Sequence, residues 1–147
     1  MRRTGLALLW AWLLCAAAVA SPMENADRRL ERLVADYTGL YARDTLAQWK
    51  TLFLPGFSSM SSNADGSVSA RGLEDFYAAQ ADGFAGSASM GERLENVRIE
   101  RHGALASVWA DFVFWADGPP ARGRLVLLAV DQPGGWRFYS LMFSYGD

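Results

Sequence analysis

His102 is the only histidine of this 147-residue chain, and Cys15 is its only cysteine. His102 stands in Arg101-His102-Gly103, a hairpin-turn sequence, and reads as an exposed turn residue. With one histidine, a metal site would need carboxylates alone, and the acids of this sequence form no such cluster. No metal or other cofactor is expected. Asp111 is the one acid inside the strongly apolar run Ser107–Trp115. On a cavity face its pKa would rise and it could act as a base. On the outer face it is a solvated strand residue, and its alternation with Trp109, Val113 and Trp115 favours that reading. Arg122 and Arg124 alternate at the start of the next run. They either hold an anionic ligand at a pocket mouth or serve as rim charges that discourage edge pairing, the second being favoured. Trp49, Trp109, Trp115 and Trp136 either line a ligand cavity or fill the core.

The elements that must position these residues follow from periodicity. Asn25 to Tyr41 has helical spacing, with Ala26, Leu30, Leu33, Val34, Tyr37 and Tyr41 on one stripe. Asp44 is the expected cap of a second short helix carrying Leu46, Trp49, Leu52 and Phe53, stopped by Leu54-Pro55-Gly56. Phe57 to Ser62 is a short strand, followed by the turn Asn63–Gly66. Ser69 would cap a third helix, Ala70 to Ala81. Beyond Gly86, Arg93–Arg101, Leu105–Trp115, Arg122–Asp131 and Trp136–Tyr145 read as four strands joined by Gly- and Pro-rich turns, hence antiparallel hairpins. Helices first and a meander after them predict an α+β fold: three N-terminal helices packed on a curled antiparallel sheet that forms a half-open cone.

The first twenty residues stand apart. Met1-Arg2-Arg3 is basic, and Gly5–Ala20 is uncharged, apolar and shorter than a membrane span. The run ends in Ala18-Val19-Ala20. Residues 1–20 therefore read as a signal peptide cleaved at Ala20–Ser21, with residues 21–147 forming one domain, secreted or periplasmic, with no stable membrane anchor after cleavage. Cleavage removes Cys15, so no disulfide or thiolate chemistry is available. It also removes Arg2 and Arg3, making the formal charge of −2 more negative. Nucleic acid is not an expected partner.

Three stretches resemble the nuclear transport factor 2-like superfamily and, within it, the SnoaL-like proteins. They are Tyr41–Phe53, Gly66–Tyr77 and Gly134–Ser144 (GGWRFYSLMFS), and the resemblance covers Asn25 to Ser144. It implies a ligand pocket enclosed by helices and sheet. Ketosteroid isomerases of this fold use an aspartate base and a tyrosine with a protonated aspartic acid. Tyr37 suits the tyrosine role, but Met60 falls where the base should be, and Leu125–Val130 contains no second acid. The resemblance also places Ser140 and Met142 where relatives carry histidine or an acid.

The expected function is binding of a hydrophobic small molecule in an aromatic-lined pocket by Tyr37, Trp49, Met60, Phe138, Ser140, Met142 and Arg124. The alternative is an isomerase, cyclase or hydratase with Asp111 or Tyr37 as acid or base. A further alternative is a non-enzymatic dimeric interaction module. Strict alternation along the last strand puts Phe138, Ser140, Met142 and Ser144 on the inner face. Tyr139, Leu141, Phe143 and Tyr145 then form an outer patch that would pair two copies as a homodimer.

Overall fold

The computed structural model describes residues 21–62 and 65–146. The expected leader and its cleavage point lie outside the described residues, as do Asn63 and Ala64 of the expected turn. Helix α1, Pro22–Gly39, begins where its chemistry is best: the Ser21 hydroxyl accepts from the Glu24 N–H at 3.1 Å, with proline in the first turn. Leu30, Leu33, Val34 and Tyr37 form its buried stripe. Helix α2, Leu46–Lys50, is a single short turn. Thr45, not Asp44, sits at its N-cap and makes no side-chain capping bond.

Strand β1 is Phe53–Ser62, followed by β2, Val68–Gly72. Ser69 and Ala70 therefore lie in a strand, and α3 spans Leu73–Gly86 with Gly72 as N-cap. The reason is pairing: β2 folds back antiparallel on β1, with Ser62 opposite Val68 and Ser58 opposite Gly72. Strands β3 (Met90–His102), β4 (Leu105–Ala116), β5 (Ala121–Gln132) and β6 (Gly135–Tyr145) complete the chain. The expected trio of leading helices is thus corrected: two strands precede α3, and α2 is too short to form a layer.

The sheet order is β2-β1-β6-β5-β4-β3. The sheet is not wholly antiparallel, because β1 runs parallel to β6 while every other pair is antiparallel. Its two edges, β2 and β3, do not meet, so the curled sheet stays open as an α+β cone. The helices cover one face. Between them and the sheet lies a core rich in aromatic rings, including Tyr37, Trp49, Phe53, Phe57, Phe76 and Phe138. The Trp49 indole N–H donates to the Tyr37 carbonyl at 2.8 Å, fixing α2 against α1.

Strand β6 departs from strict alternation. Phe138 pairs with Ala129 and Ser140 with Leu128, so Tyr139 is an extra residue, a β-bulge. The bulge reverses the phase of everything after it. Phe138, Leu141, Phe143 and Tyr145 face the helices, whereas Ser140, Met142 and Ser144 face outward. The expected inner row Ser140–Met142–Ser144 is therefore corrected, and so is the expected outer patch of Leu141, Phe143 and Tyr145. Leu141 is 3% exposed and Met142 45%. Leu141→Ala should cost about 2–5 kcal/mol in urea unfolding and Met142→Ala less than about 1 kcal/mol. The opposite ranking would put the phase of β6 back where strict alternation has it.

Candidate functional site

Between α1, α3 and the covered sheet face lies a cavity of about 350 Å³. Helix α1 contributes Tyr37, and α2 contributes Trp49. Helix α3 adds Phe76 and Gln80, whose Oε1 accepts a hydrogen bond from Tyr41. The sheet supplies Phe112 and Phe114 from β4 and Leu141, Phe143 and Tyr145 from the reversed part of β6. The Phe112, Phe143 and Tyr145 rings meet edge to face, with centroids 5.3–6.2 Å apart. Gly123 permits this: a Cβ there would collide with the Phe112 ring and the Ser144 carbonyl.

Among the described residues one acid lines this cavity, Glu92 of β3. The register sets it opposite Phe114, one step along the same face from Leu94 opposite Phe112. The residue is half-buried, but its Oε1 is sealed from water and has no hydrogen-bond partner among the described residues. Burial pushes the carboxyl pKa up to about 7; the Tyr37 hydroxyl, interacting with the carboxyl, opposes the rise. The tyrosines respond in kind. Burial, and then the charge of Glu92, raise the pKa values of Tyr37, Tyr41 and Tyr145, so all three remain protonated donors. A carboxyl that titrates near neutrality beside phenolic donors can accept or release a proton in a low-dielectric cavity.

The residues singled out from sequence divide between two faces. Tyr37 and Trp49 line the cavity. Phe138 is fully buried beneath the Tyr37 ring, 5.8 Å between centroids, and supports the wall from behind. Met60, Met142, Arg124 and Asp111 lie on the opposite side of the sheet, with Ser140 on that same face. Asp111 accepts from Asn96 Nδ2 at 2.8 Å and from Arg124 Nε at 3.0 Å. The Asn96 bond most of all, with Arg124, holds its carboxyl below the ordinary range despite some desolvation. An ionised, outward carboxylate of this kind is a poor base. Arg122 bridges to Glu95 at 3.2 Å. His102 ends β3 in its turn, and among the described residues no group of histidines and acids is placed to hold a metal.

Glu92 is the candidate site residue that the sequence expectations did not include. The strand was expected to begin at Arg93, three residues too late, which left Glu92 outside it. Extended to Met90, the alternation Met90-Glu92-Leu94 shows an acid between two apolar residues on one face.

The family model of the SnoaL-like domain matches residues 30–147. No curated protein matches the chain. Several solved structures share its fold. The Kfla4162 protein of Kribbella flavida is 16% identical with a TM-score of 0.70, covering 85% of this chain and 93% of its own. A nuclear transport factor 2-like protein of unknown function from Shewanella baltica is 12% identical at 0.66, covering 88% and 99%. A candidate dehydratase of that family from Streptomyces avermitilis is 14% identical at 0.67, covering 83% and 97%. At these identities the likeness is one of fold.

The raised carboxyl has a thermodynamic consequence. Between about pH 4.5 and pH 7 the folded chain keeps a proton on Glu92 that the unfolded chain releases. Its contribution to stability is therefore fully present below pH 4.5 and is lost as pH rises through 7, on the order of 3 kcal/mol in all. Urea unfolding should show Glu92→Gln more stable than the parent at pH 8 and close to it at pH 5. Equal stability at both pH values would mean that the carboxyl is solvated.

Proposed function

We propose, from the premise that this chain belongs to the SnoaL-like domain family, that its inner cavity binds a small, largely apolar molecule bearing one hydrogen-bonding group. The observation that carries this reading is the Glu92 carboxyl in the wall of an aromatic cavity beside Tyr37, with one of its oxygens buried and unpartnered. A buried polar atom without a partner is costly, and a ligand hydroxyl or amide would satisfy it. The volume of about 350 Å³ sits at the small end of ligand pockets, about 300–1,000 Å³. That size fits a one- or two-ring molecule. A charged ligand is disfavoured, since Arg71 is the one cation among the described residues of the wall. The leader-like first twenty residues support export, which would put this binding in the periplasm or outside the cell.

A second reading has its own observation in favour. The Glu92 pKa of about 7 is that of a general acid or base working at neutral pH. With Tyr37 as hydrogen-bond donor to a carbonyl, the pair could move a proton within the ligand, as an isomerase or hydratase requires. The acid then comes from β3, not from the Met60 position of β1.

2-Naphthol, neutral from pH 5 to pH 8, tests the site by its fluorescence. Its hydroxyl should bind about tenfold tighter at pH 8 than at pH 5, because a carboxylate is the stronger acceptor. Glu92→Gln should abolish that pH dependence, and Ala79→Phe, on the cavity wall, should block binding. Undiminished binding by a folded Ala79→Phe protein would place the ligand elsewhere and sink the proposal. An exchange of ligand C–H protons with deuterated water that is lost in Glu92→Gln would establish the second reading.

A further inference from the structure

The sheet face turned away from the helices carries its own groove, about 810 Å³ in volume. The register explains what lies in it. Met60 of β1 stands opposite Met142 of β6, Met142 opposite Val126 of β5, Val126 opposite Trp109 of β4, and Trp109 opposite Arg98 of β3. One row thus crosses five strands, with four apolar side chains ending in a cation. Trp109 is 48% exposed, and Met142 nearly as much. A monomer seldom leaves so large a contiguous apolar strip in water without a use for it.

The polar end of the row is built. Strand β3 bulges at Asn96 and Val97, where Asn96 adopts φ 53°, a left-handed conformation that costs a non-glycine residue energy. The bulge aims the Asn96 amide at Asp111, and Asp111 in turn holds the Nε of Arg124. That bond fixes Arg124 beside the row while leaving its terminal nitrogens in solvent, with the side chain 85% exposed. Arg98, at the end of the row, makes no hydrogen bond or ion pair among the described residues, and its charge acts on Asp111. Two guanidinium groups against one carboxylate leave this end of the groove net positive.

We propose that the outer groove binds an elongated amphipathic monocarboxylate, its apolar body lying across Met60, Met142, Val126 and Trp109 and its carboxylate on Arg98 and Arg124. Four strands span about 15 Å, which sets the body length near that of a twelve-carbon chain. The guanidinium fork suits a carboxylate, and the methionines and tryptophan adapt to an alkyl chain. This site is separate from the inner cavity, and a full ligand in one does not need the other.

Isothermal titration with dodecanoate below its micelle concentration tests the assignment, with dodecanol as the neutral comparison. Dodecanoate should bind one site per chain, about tenfold more tightly than dodecanol and less tightly as salt rises. Arg98→Gln should bring dodecanoate down to the affinity of dodecanol, and Trp109→Ala should weaken both. Ala79→Phe, on the inner cavity wall, should leave dodecanoate binding in place. Equal affinities for acid and alcohol, or loss of binding in Ala79→Phe but not in Arg98→Gln, would overturn the proposal. So would sedimentation as a dimer that Met142→Arg dissociates, since a second copy would then occupy the face. Co-sedimentation with phosphatidylglycerol vesicles in place of dodecanoate binding would likewise reassign the face, to a membrane surface.

Discussion

A single extra residue, Tyr139 in β6, decides which side of this sheet is which. Strand β6 is central, flanked by β1 in parallel and β5 in antiparallel. Its side chains therefore set the composition of both faces. With the bulge, Leu141, Phe143 and Tyr145 join Phe112 over the cavity, and Met142 joins Met60 and Val126 outside. Without it the rows would exchange, and Ser140, Met142 and Ser144 would line the cavity while Leu141 and two large rings faced water. A one-residue slip exchanges whole faces because the strand period is two. The bulge fixes that choice where the tail of the chain enters the core, with Phe138 locked beneath Tyr37.

The same two-sidedness separates two carboxylates of one protein into two roles. Glu92 and Asp111 lie on adjacent strands, β3 and β4, but point to opposite faces. Glu92 gives up water and gains only phenols, so its proton is held to about neutral pH. Asp111 gains an amide and a guanidinium and stays ionised. Neither assignment follows from residue type. Desolvation governs one, hydrogen bonding to the charged form the other.

Much of this was legible in the chain. Turn chemistry at His102-Gly103, Asp117–Pro120 and Pro133–Gly135 bounds β3 to β6 within a few residues, and the Leu30-Leu33-Val34-Tyr37 stripe defines the buried side of α1. Tyr37 and Trp49 line the inner cavity, and their side of the helices can be read from sequence because helical spacing is tolerant of small errors in element ends. Strand phase is not tolerant. Nothing in Phe138–Ser144 marks Tyr139 as supernumerary, since a classic bulge needs no glycine. Ser140 and Met142 were therefore set on the wrong face. Strand β2 was missed because Ala70 and its neighbours look helical until β1 is there to pair with them. The tertiary partner outweighed local propensity.

The cavity also bears on why the core is so aromatic. Cys15 is the only cysteine, so no intrachain disulfide supports the fold. Net stabilities of domains this size are small, about 5–15 kcal/mol. A carboxyl kept dry above its ordinary pKa removes on the order of 3 kcal/mol of that at alkaline pH. Such a cost is tolerable only where the surrounding packing is strong. Trp49, Phe53, Phe57, Phe76 and Phe138 form an unbroken set of ring contacts at the cavity wall and behind it, with centroids 4.6–6.2 Å apart. Each tilted or edge-on pair adds about 0.5–1.5 kcal/mol beyond its buried area. The rings thus serve two ends at once. Trp49 and Phe76 share with Glu92 the wall of the cavity, and the contacts of the whole set supply the stability that a dry carboxyl takes away. Opening this wall to water would lower the Glu92 pKa and weaken the core together, so the acid and the aromatic packing are one feature of the fold and not two.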